Sequence, residues 1–156
     1  MNEMTTMKIE TLAICNLAYL RRIGPYGPEN QALMATFKAW LTSEALFTQV
    51  TILGIALDDP TTVPAAACRY DVGAILPDMA VPKRPLSQRK LMGGHYAVFE
   101  LAHTQSAMSN GYQYLIQQLQ QAQLKRRPGP IIERYRPALV QAGKCELLVP
   151  IEAELA

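Results

Sequence analysis

The stretch LPDMAVPKRPLSQ, residues 76–88, places three prolines within nine residues, at Pro77, Pro82 and Pro85. Proline has no N–H to give to a helix or a ladder and fixes φ, so regular structure cannot run through such a segment. What makes it decisive is that the same order of patterns stands on either side of it.

Upstream, residues 8–23 read as β-structure until GPYGP breaks them. A helix follows, opened by Gly27 as N-cap, Pro28 at the first helical position and Glu29 near the positive end of the dipole. Leu33, Phe37, Trp40 and Leu41 recur at helical spacing and form one apolar stripe. TQVTILGIALDDP and AACRYDVGAIL, rich in β-branched residues and bounded by turn chemistry, read as two strands.

Downstream the order repeats. QRKLMGGHYAVFELAH is a strand, and SAMSNGYQYLIQQLQQAQ is a helix with Met108, Tyr112, Leu115, Ile116 and Leu119 expected on its buried face. GPIIERYRP and KCELLVPIEAEL follow as strands. The chain is therefore expected to be α+β, one domain over 1–156 built as tandem βαββ repeats: repeat one at about 8–76, a linker at about 77–88 and repeat two at about 89–153. Two amphipathic helices packed on a shared antiparallel sheet would leave a central cleft as the natural ligand site.

Composition narrows the function classes. With 49% hydrophobic and 18% charged residues, 156 residues can fill a core unaided. Fifteen basic and thirteen acidic residues leave a net charge of +2, spread rather than gathered, which argues against direct nucleic-acid binding. Cys15, Cys68 and Cys145 are too few and too widely spaced for a disulfide framework or a CxxC metal site. No apolar run is long enough to cross a membrane and the N-terminal residues lack the features of a signal peptide, so a cytoplasmic location is expected. His95 and His103 have no ligand spacing around them, Gly93 and Gly94 fit no phosphate-loop pattern, and Asp58 and Asp59 before Pro60 read as a turn. Neither a metal nor a cofactor is expected.

The unusual residue is Glu133, in the middle of GPIIERYRP. Strand alternation puts it with Ile131 and Tyr135, and puts Arg134 and Arg136 on the opposite face with Ile132. A carboxylate on an apolar face needs a partner, a raised pKa or water. A cationic guest could be that partner, and aromatic faces would add about 0.5–2 kcal/mol each. Trp40, Tyr70, Tyr96 and Tyr135 are the aromatic candidates, against the simpler reading of each as plain core. For Glu133 the simpler reading is an ion pair with Arg21, Arg22, Arg134 or Arg136.

The segments YLRRIGPYG, FKAWL, GIALDDP, CRYDVG, GGHYAVFEL, IIERYRP and ELLVPI, in this order, resemble the gyrase-inhibitor-like (GyrI-like) family, which includes effector-binding domains of AraC-type and multidrug-responsive bacterial transcription regulators. The resemblance runs from about residue 8 to about residue 152. It implies pseudo-two-fold symmetry of the repeats and a small-molecule pocket between them, with the glutamate of the family's E-x-Y strand, here Glu133, pairing with lipophilic cations. The alanine and leucine of GIALDDP stand where many relatives carry tyrosines, which leaves the identity of the guest open.

Binding of hydrophobic cationic or amphipathic compounds is thus the expected function, with Glu133, Trp40, Tyr135, Tyr96 and Tyr70 as ligand-binding residues. The alternatives are a hydrolase in which Glu133 acts as general base beside a tyrosine, and a partner of gyrase or of a transcription regulator. Within these residues no helix-turn-helix is expected, so any transcriptional effect would need a separate partner. A homodimer through a free edge strand is compatible with the pattern.

Overall fold

The computed structural model describes residues 4–76 and 84–152. Most of the expected linker, 77–83, lies outside the described residues, and Ser87 and Gln88 already belong to a strand. The fold is α+β with antiparallel strands, and the chain divides into two compact units.

The first unit in chain order of completion runs from Cys15 to Leu91. It holds β2 (Cys15–Ile23), α1 (Pro28–Ser43), β3 (Ile52–Ala56), β4 (Arg69–Ala74) and β5 (Ser87–Leu91). Its strands lie in the order β3-β4-β2-β5, all antiparallel. The other unit combines the segment up to Ile14 with everything from Met92 on. It holds β1 (Met4–Leu12), β6 (Gly94–Ala102), α2 (Gln105–Gln121), β7 (Ile132–Tyr135), a short α3 (Pro137–Gln141) and β8 (Lys144–Pro150), in the sheet order β1-β6-β8-β7.

Two single strands expected from the sequence are each broken in two. Residues 4–23 form β1 and β2, which pair not with one another but with β6 and with β4 and β5 respectively. Residues 87–102 likewise split into β5 and β6 around Met92 and Gly93. The reason is visible at Gly93. A β-carbon there would press on the Leu12 carbonyl oxygen and stand 2.7 Å from the Ile14 nitrogen and 2.8 Å from the Ala13 carbonyl carbon. Two connecting segments pass at backbone contact, and only glycine leaves room.

Each helix starts on its own chemistry. Gly27, at φ 158°, precedes Pro28 and Glu29 as expected, and the Thr104 hydroxyl accepts from the Ala107 N–H at 3.1 Å to cap α2. The buried row of α2 is Ala107, Gly111, Leu115 and Leu119, one residue per turn. Periodicity had predicted Met108, Tyr112 and Ile116 within that face. Ala107 and Gly111 are small enough for the helix to settle close to the sheet, with Leu101 of β6 at the Gly111 position. That rotation leaves Met108 and Tyr112 half-buried on the flank and Ile116 exposed. Beneath α2 lie Ala97, Phe99 and Leu101 of β6 and Cys145, Leu147 and Val149 of β8, each essentially buried.

Polar anchors occupy the opposite sheet faces. Glu146 on β8, 1% exposed, accepts from Arg134 Nε at 2.8 Å and from Arg136 Nε and Nη2 at 2.8 and 2.7 Å. Arg134 also donates to both oxygens of Glu10 on β1, at 3.0 and 3.1 Å. In the Cys15–Leu91 unit, fully buried Asp71 on β4 accepts from Arg21 Nε and Nη2 at 2.7 and 2.9 Å and from Arg89 Nε at 2.9 Å. Both guanidiniums also lie over the Tyr19 ring, at 5.2 and 5.3 Å.

The hydrogen bonds from Arg134 hold the Glu10 carboxyl below the usual carboxylate range, against the opposing effect of burial. A depressed folded-state pKa stabilises the protein above the ordinary glutamate value of about 4.3, and that contribution is lost as pH falls through the lower folded value. Urea unfolding at pH 7 and pH 3 should therefore show a larger acid loss in the wild type than in Glu10→Gln. Equal losses would mean that this contact carries no proton linkage.

Candidate functional site

The structure gathers four side chains around the strand that the sequence singled out. Alternation along β7 is as expected: Arg134 and Arg136 turn to Glu146, while Glu133 stands across from Leu147, on the face that packs against α2. Tyr135, two residues along, donates to Glu133 Oε1 at 2.9 Å. Tyr112, from α2, donates to Oε2 at 3.1 Å. The imidazole of His103, in the turn between β6 and α2, lies 5.1 Å from the Tyr135 ring, tilted by 44°.

The local sequence explains the arrangement. Tyr112 reaches Glu133 because small Ala107 and Gly111 set the rotation of α2, which turns the Met108–Tyr112–Ile116 row to the side of the buried stripe. The His103 N–H donates to the Gly143 carbonyl at 2.8 Å, tying the turn before α2 to the turn before β8. Cys145 lies below, its thiol 3.4 Å from the Met108 sulfur. Burial, with the negative charges of Glu133 and Glu146 behind it, pushes that thiol up to about 12, so it stays protonated and inert near neutral pH.

Chemically, two tyrosine hydroxyls, one on each oxygen, fix the orientation of the Glu133 carboxylate. The arginines of the same strand, the simplest structural partners, are engaged on the other face. The remaining sequence candidates are placed as follows. Tyr96 faces away from Glu133: its neighbours Ala97 and Phe99 alternate with it, its hydroxyl donates to the Met92 carbonyl at 2.9 Å, and Arg127 covers its ring at 5.1 Å. Trp40 and Tyr70 belong to the Cys15–Leu91 unit. Trp40 is half-buried and stacked on Phe37 at 6.4 Å, beside the buried pair Phe37 and Leu41, and Tyr70 is buried, edge-on to Tyr26 at 6.3 Å.

In the sequence Tyr112 reads only as part of a buried helix face, and His103 as a histidine without metal-ligand spacing. The available signal for Tyr112 was its position one residue after Gly111 on the helix. Among the described residues no three His, Cys, Asp or Glu side chains gather into a group able to hold a metal ion, and no helix is long and apolar enough to cross a membrane.

Comparison with known proteins places this geometry in context. Residues 5–152 match the GyrI-like small molecule binding domain. Over 145 residues, 92% of this chain and 97% of the relative, the sequence is 41% identical to the "SPbeta prophage-derived putative transcriptional regulator YosT" of Bacillus subtilis strain 168. The fold is similar to that of EcmrR in its DNA complex, with a TM-score of 0.72 at 13% identity over 96% of this chain, which spans 58% of the EcmrR chain. It is also similar to SAV2435 bound to tetraphenylphosphonium, with a TM-score of 0.64 at 16% identity, covering 96% of this chain and 95% of that one. At such identities the solved structures speak for the fold alone, whereas the near end-to-end family match speaks for descent. This chain belongs to the GyrI-like small molecule binding domain family.

Proposed function

We propose that the protein binds small hydrophobic cations or amphipathic compounds and that Glu133 is their charge partner, with Tyr112 and Tyr135 holding the carboxylate in position. One observation carries the reading: Glu133 stands on the helix side of β7 in the grip of two tyrosine hydroxyls, while the arginines of its own strand serve Glu146. A carboxylate so oriented offers an incoming cation a fixed acceptor with aromatic surface beside it. The name of the YosT relative, a putative transcriptional regulator, supports a role in regulation.

Titration with tetraphenylphosphonium, the cation bound by SAV2435, and with neutral triphenylphosphine oxide tests this. Glu133→Gln keeps the shape and removes the charge, so it should weaken cation binding by about 1.5–3 kcal/mol and leave the neutral compound nearly unaffected. No cation binding by the wild type, or an equal loss for both compounds, overturns the proposal.

A further inference from the structure

We infer that His103 tunes the charge selectivity of the Glu133 site, acting as a built-in competitor whose protonation weakens the binding of cationic guests. This rests on the proposed role of Glu133 as charge partner and adds to it a residue and a direction of control.

The His103 ring is 5.1 Å from the Tyr135 ring, and the Tyr135 hydroxyl is 2.9 Å from Glu133 Oε1. One aromatic side chain thus contacts both the imidazole and the carboxylate. The imidazole is exposed and its backbone is tied to Gly143, so it can change charge without unfolding and without leaving the site. A neutral imidazole is an aromatic neighbour of Tyr135. An imidazolium is a cation beside the tyrosine that holds the same carboxylate a cationic guest would use.

The other titratable groups around it do not substitute for this role. On the helix side of β7 and β8 these are Glu133, Tyr112, Tyr135 and Cys145, whose thiol stays protonated. Arg134, Arg136 and Glu146 are bound to one another on the opposite face, and Lys144 pairs with Glu100 at 3.2 Å. His103 is thus the side chain in this group whose ordinary charge change, near pH 6.5, falls in the physiological range.

The sign follows from linkage. A bound cation disfavours the imidazolium, so cation affinity falls as pH drops through the histidine titration, and binding at intermediate pH releases protons. Between pH 8 and pH 6 the wild-type affinity for tetraphenylphosphonium, a permanent cation, should fall about two- to fourfold, fourfold being the most that competition by one group titrating near pH 6.5 allows over that span. Triphenylphosphine oxide should show no such fall.

The experiment compares wild type, His103→Gln and His103→Arg by calorimetry in two buffers of different ionisation enthalpy. In His103→Gln the ratio of cation affinities at pH 8 and pH 6 should collapse to that of the neutral probe, and the proton release should vanish. In His103→Arg the ratio should also collapse, with affinity low at both pH values. An unchanged ratio and unchanged proton release in His103→Gln overturn the inference while leaving the role of Glu133 intact. If tetraphenylphosphonium does not bind even at pH 8, it is the role of Glu133 that fails. A ligand-free measurement then still decides the coupling: the NMR titration midpoint of His103 should drop in Glu133→Gln, and equal midpoints overturn it.

Discussion

Asp71→Ala is expected to destabilise the protein by about 3–5 kcal/mol, the loss typical of breaking a buried ion pair from one side. Asp71 is fully buried and receives three hydrogen bonds from Arg21 and Arg89. Removing it leaves two guanidiniums over one tyrosine ring with their shared carboxylate gone, so they repel as well as lose a partner. Glu146→Ala should cost less, although Glu146 is equally buried. Arg134 keeps its two bonds to Glu10, and Arg136, with 41% of its side chain exposed, can turn to water. Urea unfolding of the two variants measures the difference, and an order of Glu146 above Asp71 would show that guanidinium repulsion does not govern the cost.

Gly93→Val should be of similar size, about 3 kcal/mol, at the upper end for overpacking because the obstacles are backbone atoms that cannot rotate away. The Leu12 carbonyl, Ala13 and Ile14 all belong to the segment crossing it. The adjacent Gly94 is a different case: there φ is 114° and the nearest group is the flexible Arg127 guanidinium, so its cost comes from the backbone conformation. Thermal unfolding of Gly93→Val should show a lowered midpoint with a native-like spectrum below it, whereas a wild-type midpoint would mean that the crossing is not tight.

The contrast between what the residues announced and what they concealed follows the range of the interactions. Elements defined by local chemistry were legible: the Gly27-Pro28-Glu29 helix start, the α2 helix, and the alternation along β7 that sends Glu133 one way and Arg134 and Arg136 the other. Breaks at Ala13 and at Gly93 were not, because they arise where distant segments touch. On α2, Leu115 and Leu119 are buried as expected, but the face turns away from Met108, Tyr112 and Ile116, since hydrophobicity counts those residues and overlooks what Ala107 and Gly111 do by being small. The ion-pair anchors escaped for the same reason of distance: Arg21 and Asp71 are 50 residues apart, and Arg134 and Glu10 are 124 apart. Tyr112, the second hydroxyl on Glu133, comes from 21 residues upstream and could be placed only once the rotation of α2 was known.

The exchange of leading strands gives the chain an order of assembly. The Cys15–Leu91 unit is one uninterrupted stretch, so all its strands and its helix are present once Leu91 has been synthesised. The other unit cannot close so early: β1 is made first yet pairs with β6, and its Glu10 is held by Arg134. A strand that precedes its partner by the whole Cys15–Leu91 unit is thus among the last to find its place. Until then β1 is an unpaired strand, to be kept from other chains by the cell and not by the fold.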